Sequence, residues 1–198
     1  MKRLGRADYR DMPWKNGGGV TRELVRLPHP EDAARFVLRL SIATVAASGP
    51  FSRFAGVDRL LLLLEGEGVV LTGPEVAAPV VLGPDSPPFA FPGEWDWDCH
   101  LRGGPVRDFN VMVDRRLASA TLERVDLTAG APHRLEDPGD SLWLHGLTGR
   151  VRVAGETLEA DETLGLTAPG ALGLHADTEA TVLVVRLTRL DGSSAERP

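Results

Sequence analysis

A chain of 198 residues with 42% hydrophobic and 25% charged residues and a formal net charge of -6 is too apolar and too weakly charged to be disordered, and it can bury a real core without staples. Its 22 basic residues are scattered, which excludes the concentrated cationic face of a sequence-independent nucleic-acid binder, so no nucleic-acid partner is expected. Small molecules or proteins are the partners this balance favours.

The basic start, Met1 to Arg6, runs into Ala7-Asp8-Tyr9-Arg10 and not into an apolar stretch, so no signal peptide is read there. Period-two segments then recur between glycines, prolines and aspartates. In the first half they predict strands over 21–27, 35–45, 58–64, 68–71, 78–82, 95–101 and 106–113. After the charged link Asp114-Arg115-Arg116, a second set is predicted over 121–127, 141–147, 150–153, 156–158, 162–166 and 181–187, and the polar tail 191–198 is expected to fray. The apolar run Leu60–Leu64 is far below the roughly 20 residues that span a bilayer, so no membrane partner and a cytoplasmic location are expected.

The two halves share a rhythm. Leu60 to Leu71 reads as strand, Gly66-Glu67-Gly68 turn, strand, and Leu142 to Val153 repeats it around Gly149, where glycine supplies the positive φ of a tight hairpin. The economical reading is an all-β fold of two tandem cupin-like jelly-roll barrels, residues 1–116 and 117–190.

Several chemistries lack their residues. Cys99 is the single cysteine, which rules out an intramolecular disulfide and a cysteine zinc cage, and in Trp95-Asp96-Trp97-Asp98-Cys99 it shares a strand face with both tryptophans, as a buried thiol would. No two of His29, His100, His133, His145 and His175 fall at i, i+2 or i, i+4. After Gly49-Pro50, Phe51 and Ser52 stand where a metal-binding cupin places imidazoles, and His133 with His175 lacks a carboxylate partner, so no metal and no cofactor are expected. No nucleophile elbow is present, and Gly17-Gly18-Gly19 lacks the Lys-Ser/Thr ending of a nucleotide loop.

Side-chain direction separates the faces of two strands. Along 36–45, Phe36, Leu38, Leu40 and Ile42 oppose Val37, Arg39, Ser41 and Ala43; along 106–113, Asp108, Asn110 and Met112 oppose Phe109, Val111 and Val113. A mixed face suits the lumen of a barrel, where a few polar groups among apolar walls make a small-ligand site. Arg39 offers a fork for a carboxylate, Asn110, Ser41 and Ser52 would orient it, and Asp108 pairs with Arg39 or accepts from the ligand. Arg59 joins this set, and Trp14, Lys15 and Asn16 beside flexible glycines would close the mouth.

The string Met12-Pro13-Trp14-Lys15-Asn16-Gly17-Gly18-Gly19-Val20-Thr21-Arg22-Glu23-Leu24 resembles the opening signature of the HutD/Ves family. Arg39 to Ala43, Gly49 to Arg59 and Gly104 to Met112 look like its later blocks, with Ala55 where the family often has proline, so the resemblance covers 12–116 well and the second half only in texture. The resemblance implies a bacterial bicupin, often encoded near histidine-utilisation genes, with a small-acid pocket and no firmly established catalysis. A metal-free binder of a small carboxylate such as formylglutamate, in a sensing or regulatory role, is therefore expected. The alternative is a metal-independent enzyme with Asp108 or Lys15 as general base. Strand edges leave room for a homodimer.

Overall fold

Alternation of period two is built almost entirely as strands. The computed structural model describes residues 1–137 and 139–190, and the one helical turn among them is the 3-10 segment Arg6–Asp8. The expected fraying tail, 191–198, lies outside the described residues. In chain order the strands of the first part are β1 (Lys2–Leu4), β2 (Arg10–Pro13), β3 (Gly19–Pro28), β4 (Phe36–Val45), β5 (Gly49–Pro50), β6 (Val57–Glu65), β7 (Val69–Thr72), β8 (Val80–Leu82), β9 (Phe89–Pro92), β10 (Asp98–Leu101) and β11 (Val106–Asp114). There follow β12 (Ala118–Leu127), β13 (His133–Leu135), β14 (Ser141–Thr148), β15 (Arg150–Val153), β16 (Glu156–Glu159), β17 (Thr163–Thr167), β18 (Leu172–Ala176) and β19 (Ala180–Arg189).

The described chain divides into two compact units, Arg10–Leu117 and a second formed by Met1–Tyr9 with residues 118–190. In the Arg10–Leu117 unit a six-stranded sheet, β2-β3-β4-β11-β6-β9, and a four-stranded sheet, β5-β10-β7-β8, share one core. Ala43, Val45, Leu61 and Leu63 enter it from the larger sheet, and Val69, Leu71 and Cys99 from the smaller. Trp97 fills its middle, edge-on to Phe89 and Phe91 at centroid distances of 5.9 and 5.8 Å.

The other unit repeats the plan with a five-stranded sheet, β1-β17-β14-β19-β12, and a four-stranded sheet, β13-β18-β15-β16. Leu142, Leu144, Val182 and Val184 meet Val151, Val153, Leu158 and Leu174 between them. The first nine residues, expected at the head of the N-terminal barrel, belong here: β1 pairs antiparallel with β17. Without β1, strand β17 would present an unpaired edge. Tyr9 fastens the segment, its hydroxyl lying 3.0 Å from the Asp161 carbonyl and 2.9 Å from Thr163 Oγ1.

Three expectations need correction. The units are pairs of separate sheets, and no closed barrel is found among the described residues. The repeated glycine turns are also not hairpins, because β6 and β7 lie in different sheets, as do β14 and β15. Gly66, at φ 101°, and Gly149, at φ 69°, carry the chain round corners where a Cβ would come within 2.7 Å of Val106 and 2.6 Å of the Glu179 carbonyl. At such corners the hydrogen-bond ladder is interrupted, which leaves two faces packed on each other in place of one closed sheet. The strand expected over 95–101 starts only at Asp98, after a turn in which Trp95 N donates to the Pro92 carbonyl at 3.2 Å. Trp97 and Cys99 are nonetheless buried, and Trp95 is half-buried against the same core. No helix among the described residues is long and apolar enough to cross a membrane.

Replacing Trp97, which is 2% exposed, with alanine is expected to destabilise the protein by about 3–5 kcal/mol. Urea unfolding followed by circular dichroism tests this, and an unchanged midpoint would mean that the indole is not a core element.

Candidate functional site

Three adjacent strands of the six-stranded sheet set the site. β11 pairs with β4 on one side and β6 on the other, so residues in register form rungs across all three. On the face that meets the four-stranded sheet these rungs are Ala43–Asp108–Leu63, Ser41–Asn110–Leu61 and Arg39–Met112–Arg59. The interior is thus apolar at the end where Val45 and Val106 sit and becomes polar toward Arg39 and Arg59. The middle of the opposite face, with Leu38, Leu40, Phe109 and Val111, is equally buried and apolar.

The polar rungs open into a cavity of about 610 Å³. Arg39, Ser41, Asp108, Asn110 and Arg59 line it from the sheet, and Ser52 lines it from the segment after β5. Trp14, Lys15 and Asn16, between β2 and β3, complete the lining, so all nine residues singled out in the sequence meet at one place. Trp14 is half-buried, held by its Nε1, which donates to Thr21 Oγ1 at 2.8 Å, while Lys15 and Asn16 are exposed at the rim. The glycine loop behind them is anchored: Gly18 O accepts from Ala46 N at 2.8 Å, and a Cβ on Gly19 would lie 2.4 Å from the Thr44 carbonyl.

The expected pairing of Arg39 with Asp108 is not what the strands produce. Arg39 Nε donates to Glu23 Oε2 at 2.7 Å across the β3–β4 ladder, so its charge is met by a half-buried carboxylate. Arg59 takes the central position instead. Its guanidinium is 5.4, 5.8 and 5.0 Å from the centroids of Phe51, Phe54 and Phe91. Nη2 donates to Asn110 Oδ1 at 2.6 Å, Nη1 reaches the Ser52 carbonyl at a long 3.5 Å, and the buried Nε has no hydrogen-bond partner. Asn110 Nδ2 in turn donates to Asp108 Oδ1.

Burial dominates the electrostatics. It lowers the Arg59 pKa to about 10, against the opposing pull of Asp108, and raises that of Asp108 to about 7, against the pull of Arg59 and the Asn110 hydrogen bond. Burial also lifts the Cys99 thiol to about 12, with Asp108 adding to the effect, which makes the thiol inert as a nucleophile.

Sequence reasoning missed Glu23 as the partner of Arg39 and the phenyl box around Arg59. The alternation Val57, Arg59, Leu61, Leu63 was the available signal for the latter. The lining residues offer no imidazole and a single buried carboxyl, which is not a donor set for a transition metal, and no group of three or more His, Cys, Asp or Glu side chains is placed to hold a metal among the described residues. His133 pairs in register with Leu174, which turns His175 to the opposite face of its sheet, so those two histidines do not converge.

Two antiparallel sheets over one core, with a polar pocket opening from the larger, define an all-β protein of cupin-like fold. The chain belongs to the HutD family, whose model matches residues 6–184. It is 35% identical over 184 residues to a 21.2 kDa protein from the hutC 3' region of Pseudomonas putida, covering 86% of this chain and 93% of that one. It is 36% identical over 126 residues to protein Ves of Escherichia fergusonii, covering 61% of this chain and 63% of Ves. The solved structure of HutD from Pseudomonas fluorescens SBW25, in a formate condition, superposes with a TM-score of 0.81 at 30% identity, covering 96% of this chain and 98% of that one. Bacterial pirin YhhW from Escherichia coli in complex with nickel(II) shares the fold alone, at a TM-score of 0.64 and 11% identity over 93% of this chain and 97% of that one.

Because the pKa of Asp108 is raised on folding, the native state holds a proton that the unfolded chain releases between about pH 4 and pH 7. The resulting stabilisation is complete below the lower value and is lost as pH rises through about 7. Thermal unfolding is therefore expected to show a falling midpoint across this range, and Asp108→Asn should flatten it; an equal slope in both proteins would assign the titration elsewhere.

Proposed function

We propose that this protein binds a small carboxylate in the cavity of the Arg10–Leu117 unit and acts as a sensor or regulator, without a metal or other cofactor. The observation that carries the reading is Arg59: a buried guanidinium with one close acceptor, an unpartnered Nε and, among the described residues, no carboxylate within ion-pair distance, at the wall of a cavity of about 610 Å³. Such a group lacks the compensation that buried charges require, and an anionic ligand supplies it. Ser41 and Asn110 offer orienting hydrogen bonds, and Trp14 with Phe51 gives apolar walls for the remainder of the ligand. The origin of the Pseudomonas putida relative near hutC and the formate condition of the Pseudomonas fluorescens HutD structure favour an acid of histidine breakdown, with formylglutamate the leading candidate.

In this reading the two units are a tandem cupin-like pair in which only the Arg10–Leu117 unit carries the ligand, and the protein works in the cytoplasm, as a monomer or a homodimer. A second reading has one specific support. An Asp108 carboxyl near neutrality suits a general base, so a metal-independent enzyme is the alternative, with turnover of histidine-pathway intermediates as its signature.

Calorimetric titration with formate, glutamate, formylglutamate and urocanate is the test. At least one acid is expected to bind, and Arg59→Met should weaken it by about 2–5 kcal/mol, tenfold for each 1.4 kcal/mol. Arg39→Met should weaken it less, since Glu23 already meets that charge. Failure of all four acids to bind would overturn the carboxylate reading.

A further inference from the structure

Charge balance at the cavity wall sets a condition on what can enter. Arg39 and Glu23 neutralise each other at 2.7 Å, and Lys15 is exposed at the rim. This leaves one guanidinium, Arg59, and one carboxyl, Asp108, both buried and both lining the cavity. Asn110 joins them, accepting from Arg59 Nη2 and donating to Asp108 Oδ1, which leaves the other Asp108 oxygen for a proton.

The surroundings of Asp108 contain little else that could compensate a charge. Its partners in register, Ala43 on β4 and Leu63 on β6, are apolar. From the four-stranded sheet the group that senses it is the neutral Cys99 thiol of β10, and the cation that acts on it is Arg59 of β6. On β4 the nearest polar side chains on this face are Ser41 and the Glu23-paired Arg39.

With Asp108 ionised, it and Arg59 sum to zero, and an entering carboxylate would leave one uncompensated negative charge out of water beside a like charge. With Asp108 protonated, the wall carries a single positive charge and adds an O–H donor to the free N–H groups of Arg59. We propose that the cavity seats one carboxylate group of its ligand together with one proton held by Asp108, the oxygens of that group being shared between the Arg59 guanidinium and the Asp108 hydroxyl. The step balances without covalent change: ligand carboxylate, Asp108 carboxylate and one solvent proton give the complex. A group that brings two charges to the wall, as sulfate does, would need a second proton or cation that the wall does not hold, whereas a second carboxylate on a longer acid can stay at the rim beside the exposed Lys15, so the site selects carboxylates over sulfate. Burial already holds the Asp108 pKa at about 7, so this uptake falls in the neutral range. The inference rests on the carboxylate reading above.

Sodium formate is the probe, because it stays ionised across the range tested and any pH dependence then belongs to the protein. Calorimetry at about pH 8, where the free Asp108 is mostly ionised, in buffers of different ionisation enthalpy, should show uptake approaching one proton per formate bound, falling to about half a proton near pH 7. The apparent affinity should fall roughly tenfold per pH unit above neutrality. Asp108→Asn should bind formate with no uptake and no such slope, and sulfate should not compete. Formate binding without proton uptake, or equal competition by sulfate, overturns the inference while the carboxylate reading stands. If formate fails to saturate while a larger acid binds, the carboxylate–Asp108 pair is not the seat and the inference again falls alone. If no acid binds, both fall. The wild-type proton count decides the matter even if the Asn variant does not fold.

Discussion

A guanidinium taken out of water must be solvated by the protein or by a ligand, and in this chain that constraint is concentrated on Arg59. Three phenyl rings hold its plane, with centroids at 5.0 to 5.8 Å. These contacts supply the cation–π part of the missing hydration, which is worth most where water is excluded. They cannot supply acceptors. Asn110 offers one close oxygen, and because its amide also donates to Asp108, the same side chain bridges the buried cation Arg59 and the buried carboxyl of Asp108 in the cavity lining. Removing Asn110 would uncouple all three groups.

The sheet makes this arrangement inexpensive. Because β11 pairs with β4 and β6 in continuous antiparallel register through this region, Arg39, Met112 and Arg59 stand on one rung, and Ser41 and Asn110 on the next. Two arginines so near would repel, yet Met112 separates them and each has its own remedy: Glu23 for Arg39, the phenyl box for Arg59. The two cations therefore differ in kind. One is a satisfied ion pair near the surface; the other is a buried charge with donors to spare.

Much of this was legible in the sequence, and the limits have physical causes. The all-β class followed from alternation, and the mixed faces of β4 and β11 followed from counting by two from Phe36 and Val106. Arg59 was among the expected site residues, but the run Leu60–Leu64 hid its central position, because a strand apolar on both faces does not reveal which one points into the core. Glu23 was hidden for another reason. Its alignment with Ser41 depends on a bulge between Glu23 and Val25, and a bulge shifts every later pairing without an obvious local signature. The docking of β1 on β17 spans most of the chain and rests on three residues in register, Lys2, Arg3 and Leu4, so no local pattern encodes it. The closed barrels expected from the glycine rhythm failed on the same ground: glycine marks a reversal of the chain, and only tertiary pairing decides whether the strands that follow share a sheet.

The two units make the last point by contrast. Both follow one plan, a larger and a smaller antiparallel sheet around an apolar core, and β14 and β15 turn their corner at Gly149 much as β6 and β7 do at Gly66. In the second unit, however, the middle of the corresponding face carries Leu142, Leu144, Val182 and Val184, and its charged groups, Arg186 and Glu123, pair with each other at 2.8 Å toward the exposed end. That interior has no charge left to compensate and can close on itself. The interior of the Arg10–Leu117 unit cannot, because Arg59, Asn110 and Asp108 occupy positions where its own ladder would accept leucine, and packing phenyl groups around a cation gives less than a leucine core would. The buried polar set of the Arg10–Leu117 unit therefore lowers the stability of its core relative to the leucine and valine packing that the second unit uses in the middle of its sheets.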